Sequence, residues 1–197
     1  MIYSPKKHWN NLQKVKKFRP FYPDEMVIRF MESHFMKLKK KRIKTKILDI
    51  GCGAGRHLKL FAENGFNVYG IDFSNSGISS AKKLLKDHHL NANFFLGSMY
   101  DLPYSNNFFD GIISFASFYY SDSVGMQKSI DEMYRVLKYH GKGFVNLRSV
   151  KDYRFGKGKK IEASTFKLNI SNTNENNLVM HFLSKKHIKK YFSKFRS

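Results

Sequence analysis

The chain contains a turn with three glycines, DIGCGAG at residues 49–55, that could bind a nucleotide-like ligand. Glycine accepts positive φ angles and lets a ligand lie directly against the backbone, and a helix that follows such a turn offers unpaired N–H groups to an anion. Glycine-rich turns also occur for structural reasons alone. The turn therefore gains meaning only together with other residues.

Asp72 is the second residue that could contact such a ligand. It stands twenty-one residues after Gly51, at the end of an apolar stretch, where a carboxylate can accept hydrogen bonds from both hydroxyls of a ribose. The alternative is that Asp72 caps a helix that starts near Ser74. Together, the glycine turn and the carboxylate favour a nucleoside ligand.

The spacing of the glycines separates two classes of such ligands. A dinucleotide fingerprint would have its third glycine at position 56, where this chain has Arg56. With its G-x-G-x-G pattern, the chain resembles the class I S-adenosylmethionine-dependent methyltransferases over residues 45–149. Further segments similar to the motifs of this family follow in order: 68–73, 95–103, 108–114 and 135–143.

The resemblance implies S-adenosylmethionine as the cofactor and S-adenosylhomocysteine as its product. The glycine turn would meet the methionine part, Asp72 the ribose and Phe73 the adenine face. The family commonly has an acidic residue where this chain has Ser98, whose uncharged oxygen is a weaker acceptor for the adenine amine, so we expect weaker cofactor binding. The residues predicted to bind the cofactor are Asp49, Gly51, Cys52, Gly53, Gly55, Asp72, Phe73, Ser98, Met99 and Phe115.

Methyl transfer depends mainly on alignment and exclusion of water, and a base is usually needed only for a hydroxyl acceptor. Tyr119 and His181 are the catalytic candidates. Tyr119 could equally pack in a loop, and a histidine in an apolar hairpin, such as His181, is more often a core residue than a base. Other groups with suitable chemistry are His8, Tyr120 and Asp122.

We expect the acceptor to be a small molecule, such as a sugar or another precursor, that is methylated on nitrogen or oxygen. Residues 148–158 and the aromatic lead-in resemble the lid of a bacterial small-molecule branch of the family. The arginines of this lid could hold an acidic acceptor, or they could be solvated loop charges. The residues predicted to bind the acceptor are Trp9, Tyr120, Arg148, Tyr153 and Arg154.

The elements that would position these residues alternate along the chain. Strands are predicted at 46–50, 67–71, 92–96, 111–115 and 143–148, and helices at 24–40, 55–64, 74–87 and 123–139. This alternation indicates an α/β fold, a mostly parallel Rossmann-like sheet with helices on both faces. A hairpin of 165–170 and 178–183 and a basic helix over 184–195 complete the prediction.

We predict a single methyltransferase domain over 1–197. It would contain a basic, aromatic lead-in and helix over 1–44, a cofactor-binding core over 45–149, and a lid hairpin and terminal helix over 150–197. The family sheet normally ends with two more strands, which we do not predict in this chain. The fifth strand would then be an open edge, covered by a second copy, a partner or the hairpin.

The composition is strongly basic, with 36 Lys and Arg against 15 Asp and Glu and a net charge of +21. Such charge predicts attraction to nucleic acid or an anionic membrane surface. Lysine far outnumbers arginine, the residue best suited to phosphate, so we favour a compositional origin. RNA methylation and a non-catalytic cofactor-binding module remain the alternative functions.

Other observations restrict the cellular location of the protein and the chemistry it could perform. The single cysteine, Cys52, cannot form an internal disulfide, and no signal peptide or apolar run of about 18 residues is present, so we predict a cytoplasmic protein without a membrane span. No zinc-like spacing of Cys and His occurs, and we predict no metal. The segment after the fourth strand lacks the Asn-Pro-Pro-Tyr type of motif used to methylate base amines.

Overall fold

The computed structural model describes residues 5–195, except for the side chains of residues 39 and 40. Its centre is a five-stranded sheet in which all neighbours are parallel, in the order β3-β2-β1-β4-β5. The strand order reverses between β1 and β4, and open α/β sheets bind ligands at the carboxyl ends of the strands beside such a point. The strands are β1 Lys46–Ile50, β2 Asn67–Asp72, β3 Asn93–Leu96, β4 Phe109–Ser114 and β5 Leu137–Val145.

Helices cover both faces of this sheet. On one face α2, α3 and α4 pack in a core with Ile47, and on the other α5 packs in a core with Leu48, because successive residues of a strand point to opposite faces. The predicted α/β fold class is thus confirmed. The helices are α1 Lys6–Leu12, α2 Glu25–His34, α3 Arg56–Glu63, α4 Asn75–Asp87, α5 Ser123–Val136 and α6 Lys185–Tyr191.

The helix predicted over 24–40 is shorter in the structure. Asp24 caps its start by accepting a hydrogen bond from the Met26 amide at 2.9 Å, as expected. The α-helix ends at His34, and a 3₁₀ helix follows over Met36–Lys44. This segment has six Lys and Arg among nine residues, and like charges three and four positions apart disfavour a regular α-helix.

The C-terminal part forms a second, antiparallel sheet of β6 Gly158–Glu162, β7 Thr165–Leu168 and β8 Val179–His181. The predicted hairpin corresponds to β7 and β8, whereas β6 was not predicted, because its sequence GKKIE lacks an alternating pattern. Phe166 and Met180 of this sheet join the core beneath α5. The second sheet is therefore packed onto the body of the molecule.

The fifth strand keeps an open edge. Within the described residues β5 pairs only with β4, and the second sheet meets the main chain just beyond β5, where the Leu183 amide donates to the Arg148 carbonyl at 2.7 Å. The hairpin therefore does not add a sixth strand to the main sheet. Covering of the edge by a second copy or a partner stays a prediction.

Candidate cofactor and acceptor site

The glycine turn is shaped by its contacts with neighbouring elements. The amides of Gly51 and Cys52 donate to the Ile71 carbonyl at 2.8 and 3.1 Å, which ties the turn to β2. Gly51 has a φ of +76°, and a Cβ there would lie 1.9 Å from the Ser117 hydroxyl oxygen. Only glycine fits this position, and the turn leaves its backbone facing the cavity beside it.

Asp72 lies at the end of β2, where it supports the turn. One carboxylate oxygen accepts from the Gly53 amide at 2.8 Å and the other from the Ser74 amide at 2.7 Å. Burial raises the pKa of Asp72, and these two backbone hydrogen bonds oppose the rise. The cap of α4 is Ser74, whose hydroxyl accepts from the Gly77 amide, so Asp72 is left to face the cavity.

A cavity of about 240 Å³ lies over the turn. Of the predicted cofactor residues, Gly51, Cys52, Gly53, Asp72, Phe73, Met99 and Phe115 line it. A second pocket of about 160 Å³ beside Phe73 and Met99 is lined by Ser98, together with Pro5 and Lys6. Gly55 does not line either space, because it packs against Ala81 of α4, where a Cβ would come within 2.8 Å.

Asp49 lies beneath the turn and is only 2% exposed. Its Oδ2 atom has no hydrogen-bond partner, and the His57 Nδ1 atom lies 3.8 Å away. Burial, together with the charge of Asp72, raises the pKa of Asp49 to about 8, and Arg56 opposes the rise. A buried carboxylate without a donor suits a ligand that brings a positive charge, such as the ammonium group of a methionine end.

His57, which sequence reasoning missed, connects the turn to the N-terminal segment. Its Nε2 accepts from the Asp24 amide at 3.2 Å, so its proton is on Nδ1, facing Asp49. Burial, and then the charge of Arg56, lowers the pKa of His57 to about 3. The imidazole is therefore neutral and lies beside Asp49. The sequence did offer one signal for a role of His57 at the site: it is the second residue of the helix that follows the glycine turn.

The N-terminal segment, residues 5–24, forms one wall of the cavity. Pro5, Trp9, Gln13, Phe18 and Pro20 line it, of which only Trp9 was predicted individually. The segment is fixed to α4 by Asn10, whose side chain accepts from the Ser76 amide at 3.1 Å and whose carbonyl accepts from the Ser76 hydroxyl at 2.6 Å. The aromatic and proline content of this lead-in was the sequence signal for a wall.

Tyr120 packs against this wall and also lines the cavity. Its ring contacts Trp9 at a centroid distance of 4.9 Å, and its hydroxyl donates to Glu175 at 2.7 Å. Burial raises the pKa of Tyr120, and the nearby Tyr119 and Glu175 add to the rise. Tyr120 is therefore a protonated wall residue rather than a base.

The other predicted catalytic and acceptor residues lie behind or outside the cavity. Tyr119 is 1% exposed and accepts from Arg148 at 3.3 Å. Arg154 forms ion pairs with Asp152, at 3.0 Å, and with Glu175, so its charge is already balanced. None of these residues lines the cavity, and neither does Tyr153, which is on the surface. The acidic partners were missed because they lie in loops without a periodic pattern.

His181 is in a different place altogether. It is 5% exposed, shares a 2.6 Å hydrogen bond with the Thr165 hydroxyl and lies 3.3 Å from the Tyr191 hydroxyl. This is the position of a core histidine, the alternative noted above. His8 contacts the Asn174 carbonyl at 2.7 Å, and the side chain of Asp122 caps α5.

Residues 47–141 match the sequence description of a methyltransferase domain. Apart from Lys46, the match contains all of β1 to β4 as well as the glycine turn and Asp72, which build the cavity together with the N-terminal segment. With its sheet, its turn and this match, the chain has the fold and the sequence features of the class I S-adenosylmethionine-dependent methyltransferases.

Particular relatives extend this comparison. Over 128 residues, 64% of its length, the chain is 28% identical to a ubiquinone biosynthesis O-methyltransferase of Rickettsia conorii, and it spans 43% of that relative. The crystal structure of the PH0226 protein of Pyrococcus horikoshii is 25% identical with a TM-score of 0.70, over 92% of this chain and 88% of that one. A methyltransferase structure from Methanosarcina mazei is 24% identical with a TM-score of 0.66, over 76% and 77%, and shows the same fold.

None of the helices within residues 5–195 is long and apolar enough to cross a bilayer.

Proposed function

We propose that this protein transfers a methyl group from S-adenosylmethionine to an oxygen atom of a small, ring-bearing acceptor. The observation that carries the proposal is the cavity itself, which joins the cofactor turn to a wall of aromatic side chains. Trp9, Phe18, Phe115 and Tyr120 form that wall. Flat apolar molecules are bound well by such side chains, and the Rickettsia relative is named for transfer to oxygen.

The residues around the turn suit the cofactor from end to end. Asp49 would accept from the ammonium group, Asp72 from the ribose hydroxyls, and Phe73 and Met99 would enclose the adenine, with Ser98 at its edge. When bound, S-adenosylmethionine supplies an electrophilic methyl group on a positively charged sulfur. The chain contributes alignment and a space from which water is excluded.

The protonation states in the cavity restrict the acceptor. Transfer forms an oxygen–carbon bond, breaks the bond between the methyl carbon and sulfur, and releases the hydroxyl proton to solvent. His57 is held neutral with its Nε2 occupied, and Tyr120 donates its own proton to Glu175, so neither is free to remove it. We therefore infer an acceptor with an acidic hydroxyl, such as a phenol or catechol, that ionises without a strong base.

The two alternative functions draw no support from this site. An RNA methyltransferase would be expected to open its cavity to a strand, whereas Trp9, Phe18 and Pro20 close this one. A non-catalytic cofactor-binding module would keep Asp49 and Asp72 as well, and the turnover assay below separates it from an enzyme. A cytoplasmic location remains part of the proposal, and cell fractionation would test it.

The test is a turnover assay with S-adenosylmethionine and three acceptor classes: a catechol, a sugar alcohol and a primary amine. Release of S-adenosylhomocysteine is measured for the wild type and for Asp72→Asn. The matched control is Asp87→Asn, which removes an exposed carboxylate of α4 paired with Lys83. We expect turnover with the catechol that is lost in Asp72→Asn and kept in the control. Turnover with the amine alone would contradict the proposal.

A further inference from the structure

The side chain of Gln13 is an unmet hydrogen-bonding group at the cavity. Its Oε1 atom is buried and has no partner, and the residue lines the cavity beside Gly51 and Gly53. Its Nε2 atom lies 3.2 Å from the place that a Cβ on Gly53 would take. The amide therefore lies against the part of the turn that would receive the methionine end of the cofactor.

Gln13 is one of two described residues with an unmet buried acceptor oxygen. Four buried side-chain atoms lack a hydrogen-bond partner, and two of these are acceptor oxygens, those of Gln13 and Asp49. The other two are guanidinium nitrogens, of Arg42 and Arg148, which are donors. Of these four residues only Gln13 lines the cavity, and Asp49 lies beneath the turn. Buried acceptors usually have donors, so the unmet oxygen of Gln13 at the cavity, with that of Asp49 beneath the glycine turn, indicates a ligand that brings N–H groups.

We infer that Gln13 binds the amino-acid end of S-adenosylmethionine, with its amide oxygen accepting from the ammonium group that Asp49 also contacts. An ammonium group has three N–H donors and can serve both oxygens at once. The inference rests on the proposed function, because it names a residue for the same cofactor. It also gives the N-terminal segment a direct part in binding.

The backbone around Gln13 is held independently of its side chain. Its amide donates to the Trp9 carbonyl at 2.9 Å, and its carbonyl accepts from the Arg19 Nε at 2.6 Å. The side-chain oxygen makes no contact of this kind. Replacing the side chain should therefore alter ligand binding while leaving the fold in place.

The experiment compares two ligands by calorimetry. S-adenosylhomocysteine carries the amino-acid end, whereas 5′-methylthioadenosine has the same adenosine and thioether without it. We expect Gln13→Leu to weaken binding of S-adenosylhomocysteine about tenfold and to leave binding of methylthioadenosine within about twofold. Gln13→Glu, which keeps an acceptor oxygen, should retain the wild-type affinity or exceed it. Gln127→Leu on α5 is the matched control, with both affinities unchanged.

The outcomes separate this inference from the proposed function. Unchanged affinity for S-adenosylhomocysteine in Gln13→Leu would overturn the inference alone, as would an equal loss for both ligands, which would indicate general damage to the cavity. A loss in Gln13→Glu as large as in Gln13→Leu would overturn the assignment to the ammonium group. Failure of the folded wild type to bind either ligand would overturn the proposed function, and the inference with it.

Discussion

At the scale of single residues, we expect Asp49 to make cofactor binding depend on pH. In the free protein its pKa of about 8 keeps it mostly protonated at neutral pH. A bound ammonium group favours the charged carboxylate, so the pKa falls on binding and a proton is released. Affinity for S-adenosylhomocysteine should therefore rise between pH 6 and 8, by up to about tenfold per pH unit.

Calorimetry at pH 6, 7 and 8, in buffers with different ionisation heats, would measure both the affinity and the released proton. Asp49→Asn removes the titrating group and should flatten the pH dependence while lowering the affinity. A wild-type affinity that does not change over this range would show that Asp49 is already ionised in the free protein.

Gly51 permits a second residue-scale prediction. Gly51→Ala would bring a Cβ to 1.9 Å from the Ser117 hydroxyl at a φ of +76°. Gly65→Ala has a similar backbone strain, with a φ of +81°, but nothing lies within 4 Å of its Cβ. We expect Gly65→Ala to destabilise by about 1 kcal/mol and Gly51→Ala by clearly more, with loss of S-adenosylhomocysteine binding only in the latter. Thermal unfolding and calorimetry would check this, and equal effects would refute the role of the Ser117 contact.

Residue roles were predictable where a motif fixes the backbone. Gly51, Gly53 and Asp72 follow from their spacing, and the structure brings them to one cavity. Gln13 and His57 were not predictable in this way, because their roles depend on contacts between segments distant in sequence. The hydrogen bond from the Asp24 amide to His57 spans 33 positions and has no local signature.

At the scale of elements, α1 is a wall that is attached mainly through Asn10. Asn10→Ala removes the side-chain hydrogen bonds to Ser76 and Ser74, each worth about 1 kcal/mol, and keeps the one from the Ser76 hydroxyl to the Asn10 carbonyl. We expect faster hydrogen exchange in residues 6–12 and faster dissociation of S-adenosylhomocysteine, with little change in the melting temperature. Asn11→Ala, at the exposed neighbouring position, is the control. Unchanged exchange in α1 after Asn10→Ala would show that its apolar contacts suffice.

The order of the elements was predictable, but several boundaries were not. Apolar periodicity located the strands and helices of the core, because burial on a sheet imposes it. The start of β5 was placed too late, since Gly141 and Gly143 indicate a turn, whereas the strand begins at Leu137. Tertiary pairing with β4 overrides that local signal.

At the scale of the whole molecule, the net charge of +21 acts against the folded state. Like charges also face each other directly, as Lys159 and Lys167 do across β6 and β7. Added salt screens such repulsion. We expect the melting temperature to rise by a few degrees, about 2–5 °C, between 20 and 200 mM sodium chloride.

The same salt titration distinguishes the effect of surface charge on stability from its effect on cofactor binding. The affinity for S-adenosylhomocysteine should change little with salt, because the cofactor contacts are enclosed. A lower melting temperature at higher salt would show that attractive ion pairs, rather than repulsion, dominate the surface. Tight RNA binding that falls steeply with added salt would instead support the alternative function, RNA methylation.

The open edge of β5 is shaped in a way that limits its use by other chains. Its pairing with β4 shifts register, from Phe109 opposite Leu137 to Gly111 opposite Lys142, so that the residues between form a bulge, and His140 within it has a φ of +65°. A strand of another chain pairs most readily with a straight, uncharged edge, and bulges and lysines disfavour such pairing. We therefore expect this edge to seed aggregates less readily than a straight strand would, and we expect straightening the bulge to increase aggregation.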